Sequence, residues 1–340
     1  MVILVKSNKI ILDFNELSNN IEYYKSTYNK KIMVVLKNDA YGHGLKHIAN
    51  FLDNDERINY FVINNIKEAI FLRKNKITKP ILILGNIEKE DLEFCKDNDL
   101  TISINNLKIF YELIDNKYTG KVHININTGM NRLGIKKEDF GKIINSNLNI
   151  EGIYTHYKGG NDDLYSIKKQ KKDFDELISK IEHSKYIIHD VSSNNVSLLN
   201  LKYTSSIRLG LGLYGLNYIT KPILSLKSPI INIIKVNKGE CISYHSSFIT
   251  PSDGYIVTIP FGYGDGWYKN IEIIVPNYIQ AGEMTMNYTM FFTEKYPTIK
   301  EIEIIGKYNK ITNISLIYKI SPYEIITKLS PFIHRTINQK

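Results

Sequence analysis

Cysteine is scarce in this sequence, with only Cys95 and Cys241 among 340 residues. Two thiols cannot build a disulfide framework or a four-ligand zinc site, and such low usage favours a reducing compartment. Long apolar runs are also missing. The longest, such as Ile32–Leu36 and Ile230–Val236, which Asn232 and Lys235 interrupt, fall far short of the roughly 20 residues that a bilayer-spanning helix needs. The amino end lacks the apolar core of a signal peptide. We therefore expect a cytoplasmic protein without a membrane segment.

Several sequence signatures that would specify a partner are absent as well. No internal repeat, heptad run or glycine-rich nucleotide fingerprint is visible. His43 and His189 have no spaced cysteine or histidine partners, so we expect structural histidines and no metal site. The net charge is +9, but the lysines are scattered along the chain rather than clustered. Because nucleic-acid binding needs a basic face, nucleic acid is not an expected partner.

Short apolar segments alternate with amphipathic stretches through the first two-thirds of the chain. The segments are rich in isoleucine and valine with little polar alternation, as in strands covered on both faces. Eight of them favour a TIM-type (β/α)8 barrel over residues 11–220, with a doubly wound open sheet as the alternative. The predicted strands are Ile32–Lys37, Tyr60–Ile63, Pro80–Leu84, Leu100–Ile104, Val122–Asn127, Ile150–His156, Tyr186–His189 and Ser206–Leu209.

The pattern changes after about Thr220, where short β-rich segments are separated by turn residues. This texture predicts a smaller C-terminal all-β domain over residues 221–340, which a strand within residues 1–10 is expected to join. The predicted strands there are Ile230–Val236, Tyr255–Pro260, Ile271–Val275, Glu301–Ile305 and Tyr323–Lys328.

Lys37 closes the first predicted barrel strand. A side chain at the carboxyl end of such a strand points into the barrel mouth, where these enzymes carry out their chemistry. Burial would lower the pKa of a lysine there, and a partly neutral amine can form a Schiff base. The alternative is a solvated lysine at a strand end.

The residues around Lys37, KNDAYGHG over 37–44, resemble the pyridoxal-phosphate lysine motif of alanine racemases. The resemblance implies a fold type III enzyme with a barrel and a C-terminal β-domain, which interconverts L- and D-alanine as a homodimer with shared active sites. Further matching motifs follow in the family's order along most of the chain: Asn127–Gly134, Thr155–His156, Ser192–Ser193, Ile207–Gly210, Leu213–Gly215, Gly262–Gly266 and Ser321–Glu324.

The resemblance also implies the cofactor-binding residues. Lys37 would hold pyridoxal 5'-phosphate as an internal aldimine and act as one acid–base group, and His156 would lie against the ring. Backbone amides beside a glycine are apt phosphate donors because no side chain blocks them. The expected phosphate ligands are Tyr41, Ser193, Tyr323 and the amides of Gly210 and Leu211.

Two arginines and a methionine complete the implied site. Arg132 would bond near the phenolic oxygen and orient the substrate carboxylate, which the Met286 amide could also bind. Arg208 would face the pyridine nitrogen. Since arginine stays protonated, it donates to this nitrogen and leaves it neutral. A neutral ring is a weaker electron sink, which favours reprotonation of the α-carbon over transamination.

Several positions depart from the family pattern, and two of them bear directly on proton transfer and on the support of Arg132. Phe248 occupies the place of the tyrosine that serves as second base from the partner subunit, and phenylalanine cannot move a proton. Tyr244 and His245 are the candidate replacements. Without one, racemisation is expected to be slower by roughly 10²–10⁴-fold. Single-base chemistry, another amino-acid substrate and a non-catalytic cofactor-binding role stay open alternatives. Asn125 stands where many relatives carry a carbamylated lysine that supports the arginine, so an anion or a direct bond could take over.

Overall fold

The computed structural model describes residues 7–159 and 163–339. Its described residues form two compact units, one of residues 20–41 and 45–213 and one of residues 7–19, 42–44 and 214–339. Of the predicted N-terminal strand segment 1–10, the structure describes residues 7–10. The predicted domain boundaries at 10 and 220 stay predictions.

The first strand, β1 (Lys9–Asp13), is part of the smaller unit, and the next eight strands form one all-parallel sheet in the larger unit. Seven helices accompany these strands. The eight strands are β2 (Lys31–Val35), β3 (Ile58–Ile63), β4 (Ile81–Ile83), β5 (Leu100–Ile104), β6 (Lys121–Asn125), β7 (Asn149–Tyr154), β8 (Ile187–His189) and β9 (Ser206–Leu209). The helices are α1 (Phe14–Tyr28), α2 (Leu45–Leu52), α3 (Ile66–Lys74), α4 (Leu92–Asp97), α5 (Leu107–Asp115), α6 (Lys137–Ile144) and α7 (Leu164–Ile178).

The eight-stranded sheet closes into a barrel. Strands β2 to β8 pair in chain order, and β9 returns to pair with β2. The remaining seam, between β8 and β9, is joined by backbone bonds from Ser205 N to Ile188 O (2.9 Å) and from Arg208 N to Val191 O (3.1 Å). Strand β5 is buried along its whole length, as the absence of polar alternation predicts. The barrel prediction is confirmed, and the open doubly wound alternative is wrong because the last strand meets the first.

The smaller unit contains two four-stranded sheets and a two-stranded ribbon, as an all-β domain should. Strand β1 lies inside one sheet, antiparallel to one neighbour and parallel to the other, and buries Ile10 and Leu12. The sheet orders are β17-β10-β1-β18 and β11-β14-β16-β15, with β12-β13 as the ribbon. The strands are β10 (Leu224–Pro229), β11 (Asn232–Val236), β12 (Cys241–Ile242), β13 (Phe248–Ile249), β14 (Gly254–Ile259), β15 (Ile279–Gln280), β16 (Thr289–Thr293), β17 (Glu301–Ile305) and β18 (His334–Asn338).

Two segments of this unit differ from their predicted structure. Residues Tyr323–Lys328 are not a strand, because helix α9 (Pro322–Thr327) occupies them, preceded by helix α8 (Ile311–Tyr318). Proline at the first helical position pre-sets the backbone for a helix, a signal that outweighs the β-branched Ile325–Ile326 pair. Ile271–Val275 also forms no strand and contributes only an isolated bridge from Val275.

The described residues contain neither a membrane-spanning helix nor a cluster of metal-ligating side chains. None of their helices has the length and apolar character needed to cross a membrane. No group of three or more histidine, cysteine or carboxylate side chains lies within ligating distance of a common metal ion in residues 7–159 and 163–339.

Candidate active site

The chain makes a left-handed turn directly after Lys37. The four residues Asn38, Asp39, Ala40 and Tyr41 have φ values of 53°, 55°, 52° and 54°. For residues other than glycine this conformation costs roughly 1–2 kcal/mol each, and runs of it are rare. Lys37 therefore lies two residues beyond the end of β2 rather than closing it, and tertiary contacts must hold the turn.

Two carboxylates anchor this left-handed turn. Glu68 Oε1 accepts a hydrogen bond from Asn38 N (2.6 Å), and its Oε2 accepts one from Asn64 N (2.9 Å). Asp39 Oδ1 accepts from Leu45 N (2.6 Å), at the start of α2. The turn is thus bonded to α3 and to the start of α2, which offsets its local cost.

The amine of Lys37 is half-buried in a positively charged surrounding. Desolvation lowers its pKa, and the positive charges of Arg132 and Arg208 lower it further. The carboxylate of Glu68 acts in the opposite direction. A lowered pKa increases the neutral fraction of the amine, which is the form that attacks carbonyl carbon.

Arg208, on β9, is only 4% exposed. The terminal nitrogen Nη1 donates to His189 Nδ1 (3.0 Å) and to the His189 carbonyl oxygen. The other terminal nitrogen, Nη2, donates to the Thr155 carbonyl oxygen (2.8 Å). These bonds use three of the five guanidinium N–H groups. Among the described residues no acceptor takes the other two, so the group can still donate to a ligand.

The loop that carries Arg132 is fixed at its base by backbone bonds. Ile135 N donates to Asn125 O and Gly134 N donates to Asn105 O, both at 2.8 Å. Asn125 Nδ2 also donates to Asn105 Oδ1 (2.8 Å). Arg132 itself is exposed, and its side chain makes no hydrogen bond to a described residue. The Asn125 side chain is thus hydrogen-bonded to the Asn105 side chain. Support of Arg132 by an anion stays a prediction.

Gly210, just after β9, forms a narrow cradle with Tyr41 and Ser193. A Cβ at position 210 would lie 2.8 Å from the Tyr41 hydroxyl oxygen, so a larger residue there would displace the Tyr41 ring. Gly210 N donates to Ser193 Oγ (3.2 Å). The Ser193 hydroxyl hydrogen, the Tyr41 hydroxyl and the Leu211 amide are the groups of this cradle suited to an anion.

His156 follows β7, and its imidazole lies close to the same cations. Desolvation lowers its pKa, and the charges of Arg208, Arg132 and Lys37 lower it further. The imidazole is therefore neutral at physiological pH. Two guanidinium groups and an amine around one neutral ring produce a field that favours an anionic ligand.

The three other predicted site residues, Phe248, Tyr323 and Met286, belong to the smaller unit. Phe248 is half-buried against Phe292, with ring centroids 6.0 Å apart. It also lines a cavity of about 750 Å³. Tyr323 and Met286 are 43% and 56% exposed, and Gly264 N donates to Met286 O (2.8 Å).

The segment before Phe248 has an irregular backbone. Ser243, His245 and Ser246 have φ values of 70°, 56° and 51°. Tyr244, between them, is 73% exposed, and His245 is exposed as well. Both candidate replacement bases are therefore accessible in the isolated chain.

Some residues of the barrel site escaped the sequence analysis. Glu68 was missed, although the Asn65-to-Glu68 spacing of a capping box marks the start of α3. His189 was predicted to be a structural histidine, but its hydrogen bond to Arg208 was not predicted. No local sequence pattern indicates this bond, because the two residues lie on different strands, β8 and β9.

The larger unit therefore brings Lys37, Arg132, His156 and Arg208 together beside the cradle of Gly210. A barrel that places an amine of lowered pKa among cations can bind a phosphorylated aldehyde covalently. The protein is therefore of the class of barrel enzymes that use the amine of a lysine side chain.

Comparison with known proteins identifies the family within this class. The family profile described as "Alanine racemase, N-terminal domain" matches residues 12–218, and "Alanine racemase, C-terminal domain" matches residues 223–337. The chain belongs to the alanine racemase family. Membership supports a racemase-type isomerase and implies pyridoxal 5'-phosphate as its cofactor.

Individual relatives agree along the whole chain. The alanine racemase of Lactococcus lactis subsp. cremoris (strain SK11) is 28% identical over 97% of this chain and 98% of its own length. The structure of alanine racemase from Clostridium difficile 630 has a TM-score of 0.87 at 25% identity, covering 99% of this chain and 96% of that one. A histidine racemase from Leuconostoc mesenteroides matches in fold, with a TM-score of 0.87 at 22% identity over 99% of both chains.

The barrel residues fit this cofactor. The cradle at Gly210, which a Cβ would fill, suits a phosphate, and the two uncommitted N–H groups of Arg208 suit a ring nitrogen. Lys37 supplies an amine whose pKa is lowered by desolvation and by neighbouring cations.

The left-handed turn predicts opposite effects of two substitutions at Asn38, whose side chain is exposed. Asn38→Val should lower the free energy of unfolding by about 1–2 kcal/mol, since a β-branched residue is poorly accommodated at positive φ. Asn38→Gly should leave it unchanged or raise it. Urea unfolding of both variants measures this, and equal stabilities would contradict the strained turn.

The lowered pKa of Lys37 predicts a lower pH midpoint for its reductive methylation in the cofactor-free chain. Lys185 is the reference, since Glu182 raises its pKa. A group with a lowered pKa loses its proton at lower pH, so Lys37 should become reactive first as pH rises. Peptide mass spectrometry across a pH series gives both midpoints, and a higher midpoint for Lys37 would contradict the expectation.

Proposed function

We propose that this protein is a pyridoxal-phosphate-dependent racemase that interconverts L-alanine and D-alanine. The observation that carries the proposal is the convergence of Lys37, Arg208 and the Gly210 cradle in one barrel mouth, in a chain of this family. Bound pyridoxal phosphate supplies an electron sink that acidifies the α-hydrogen of an amino acid.

Lys37 is the covalent attachment site for the cofactor, and its amine moves the proton on one face of the substrate α-carbon. The Tyr41 and Ser193 hydroxyls and the Leu211 amide bind the phosphate, and Tyr323 adds a further hydroxyl. The Gly210 amide, which donates to Ser193 Oγ in the cofactor-free chain, turns to the phosphate as the fourth donor of the cradle. The lowered pKa of His156 supports its role as a neutral ring that packs against the cofactor.

Arg208 donates to the pyridine nitrogen with the N–H groups that its protein partners leave unused. Arg132 binds the substrate carboxylate, a role supported by its exposure on a loop whose base is fixed. The Met286 amide binds the same carboxylate. These contacts orient the α-hydrogen towards the acid–base groups, which brings the reacting atoms into a productive geometry.

The proposed function has two forms, which differ in whether any group moves a proton on the second face of the substrate α-carbon. Phe248 occupies the second-base position in a homodimer with shared active sites, and it has no proton to transfer. Tyr244 or His245 takes over that transfer, or the enzyme works with one base only. The exposure of both side chains supports the first form, and the apolar packing of Phe248 supports the second. The cytoplasmic location stays a prediction.

The racemase proposal predicts a visible absorption band after incubation with pyridoxal phosphate and conversion of L-alanine to D-alanine. Lys37→Ala should abolish both, since no other amine of the barrel mouth can replace it. Lys46→Ala, an exposed lysine on α2, is the matched control and should retain both. L-Serine and L-histidine test the substrate range. A wild-type chain that binds no pyridoxal phosphate would contradict the proposal.

The Phe248 assignment predicts that Phe248→Tyr increases the racemisation rate by roughly 10²–10⁴-fold, the contribution of one acid–base group. Chiral chromatography measures the rate, and deuterium exchange into each enantiomer shows which face lacks a base. Exchange of both enantiomers at equal rates in the wild type would contradict the single-base form.

A further inference from the structure

A row of polar side chains crosses the barrel interior from Arg208 to the first half of β7. His189 Nδ1 is 3.0 Å from the Arg208 guanidinium, and its Nε2 is 2.8 Å from His123 Nδ1. His123 Nε2 is 3.5 Å from a carboxylate oxygen of Glu151, which also accepts a hydrogen bond from the Tyr60 hydroxyl. Both imidazoles are fully buried, whereas the Glu151 side chain is 30% exposed. The row therefore joins a buried guanidinium to a carboxylate that reaches solvent.

The two imidazoles are held in this row by close packing. His123 lies beside Gly152 on the neighbouring strand, and a Cβ at 152 would come within 2.6 Å of the imidazole. Tyr154 stacks on His189 with ring centroids 4.7 Å apart. Glycine at 152 thus provides the space that the His123 ring occupies.

The donor direction along the row follows from the guanidinium. Arginine has donors only, so His189 Nδ1 must accept and its Nε2 must carry the hydrogen. His189 Nε2 then donates to His123 Nδ1. His123 carries its own hydrogen on Nε2, which makes no well-aligned hydrogen bond and meets the charge of Glu151 at 3.5 Å. Both histidines are neutral Nε2–H tautomers, and all the donors point from the arginine towards the carboxylate.

The surroundings favour the neutral form of both rings. Desolvation lowers the pKa of His123 and of His189, although Glu151 raises that of His123. A second proton on either ring would set N–H against N–H within the row. Other titratable groups also lie beside the row. Around the histidines and Glu151 they include Tyr60, Tyr154 and Lys121, and around the guanidinium they include Tyr41, Tyr157, Asp190, Lys37 and His156.

We propose that Glu151 is a positioning residue for Arg208, acting through His189 and His123. The negative carboxylate polarises the two imidazoles in sequence, and this fixes the His189 acceptor that holds the guanidinium in place. Asp190 is a poorer counter-ion, because Lys171, Tyr157 and Thr204 already bind it. The effect on the cofactor rests on the proposed role of Arg208, whereas the hydrogen-bonded row does not.

The row is tested first without cofactor. Nitrogen NMR of the ¹⁵N-histidine-labelled chain should show two buried Nε2–H tautomers that do not change between about pH 5 and 8, the range in which ordinary histidines titrate. His123→Asn assigns the signals by removing one and shifting the other. Titration of either ring, or an Nδ1–H tautomer in the wild type, would overturn the proposal whether or not pyridoxal phosphate binds.

The positioning effect is tested by pyridoxal-phosphate affinity. Glu151→Gln keeps the shape and an acceptor but removes the charge, so the dissociation constant should rise about 3- to 30-fold, the range of coupling through packed networks. Glu151→Asp should recover part of this loss. Glu93→Gln, an exposed residue of α4, should have no effect. An unchanged affinity in Glu151→Gln would overturn the positioning role, and failure of the wild type to bind would instead overturn the proposed function.

Discussion

The burial of the Arg208 guanidinium is the constraint on which the barrel site depends. Removing such a group from water costs several kcal/mol unless hydrogen bonds replace those to solvent. The Thr155 and His189 carbonyl oxygens and the His189 imidazole supply three of these bonds. This requirement accounts for a neutral histidine deep in the barrel and for the tyrosine that stacks on it. It also places a fixed positive charge close to Lys37, which is one cause of the lowered pKa of its amine.

In the smaller unit, the predicted site position Phe248 is apolar, in contrast to the charged site residues of the barrel. Phe248 pairs across the ribbon with Ile242 and packs on a buried apolar cluster that includes Ile256 and Phe292. Such an environment stabilises an aromatic ring through burial of apolar surface. The ring therefore has a packing role whatever its place in the chemistry. The neighbouring residues Ser243, His245 and Ser246 instead adopt a strained backbone, as residues at functional sites often do.

The sequence predicted the barrel better than the details of its site. All eight barrel strands overlap their predicted segments, because strands buried on both faces have a simple apolar signature. The predicted strand at Tyr323–Lys328 is wrong because one proline decides the conformation of a short segment. The bond between Arg208 and His189 joins residues 19 apart in sequence, and neither periodicity nor spacing reports it. The left-handed turn after Lys37 was also not predictable, since none of its residues is glycine.

That left-handed turn has a consequence for how the chain folds. Its conformation has no intrinsic preference in the unfolded state, so it cannot form before Glu68 and Leu45 are in place to anchor it. The segment that carries the reactive amine therefore holds its shape through carboxylates that the native chain places beside it, and the loss of either one would release the backbone around the amine.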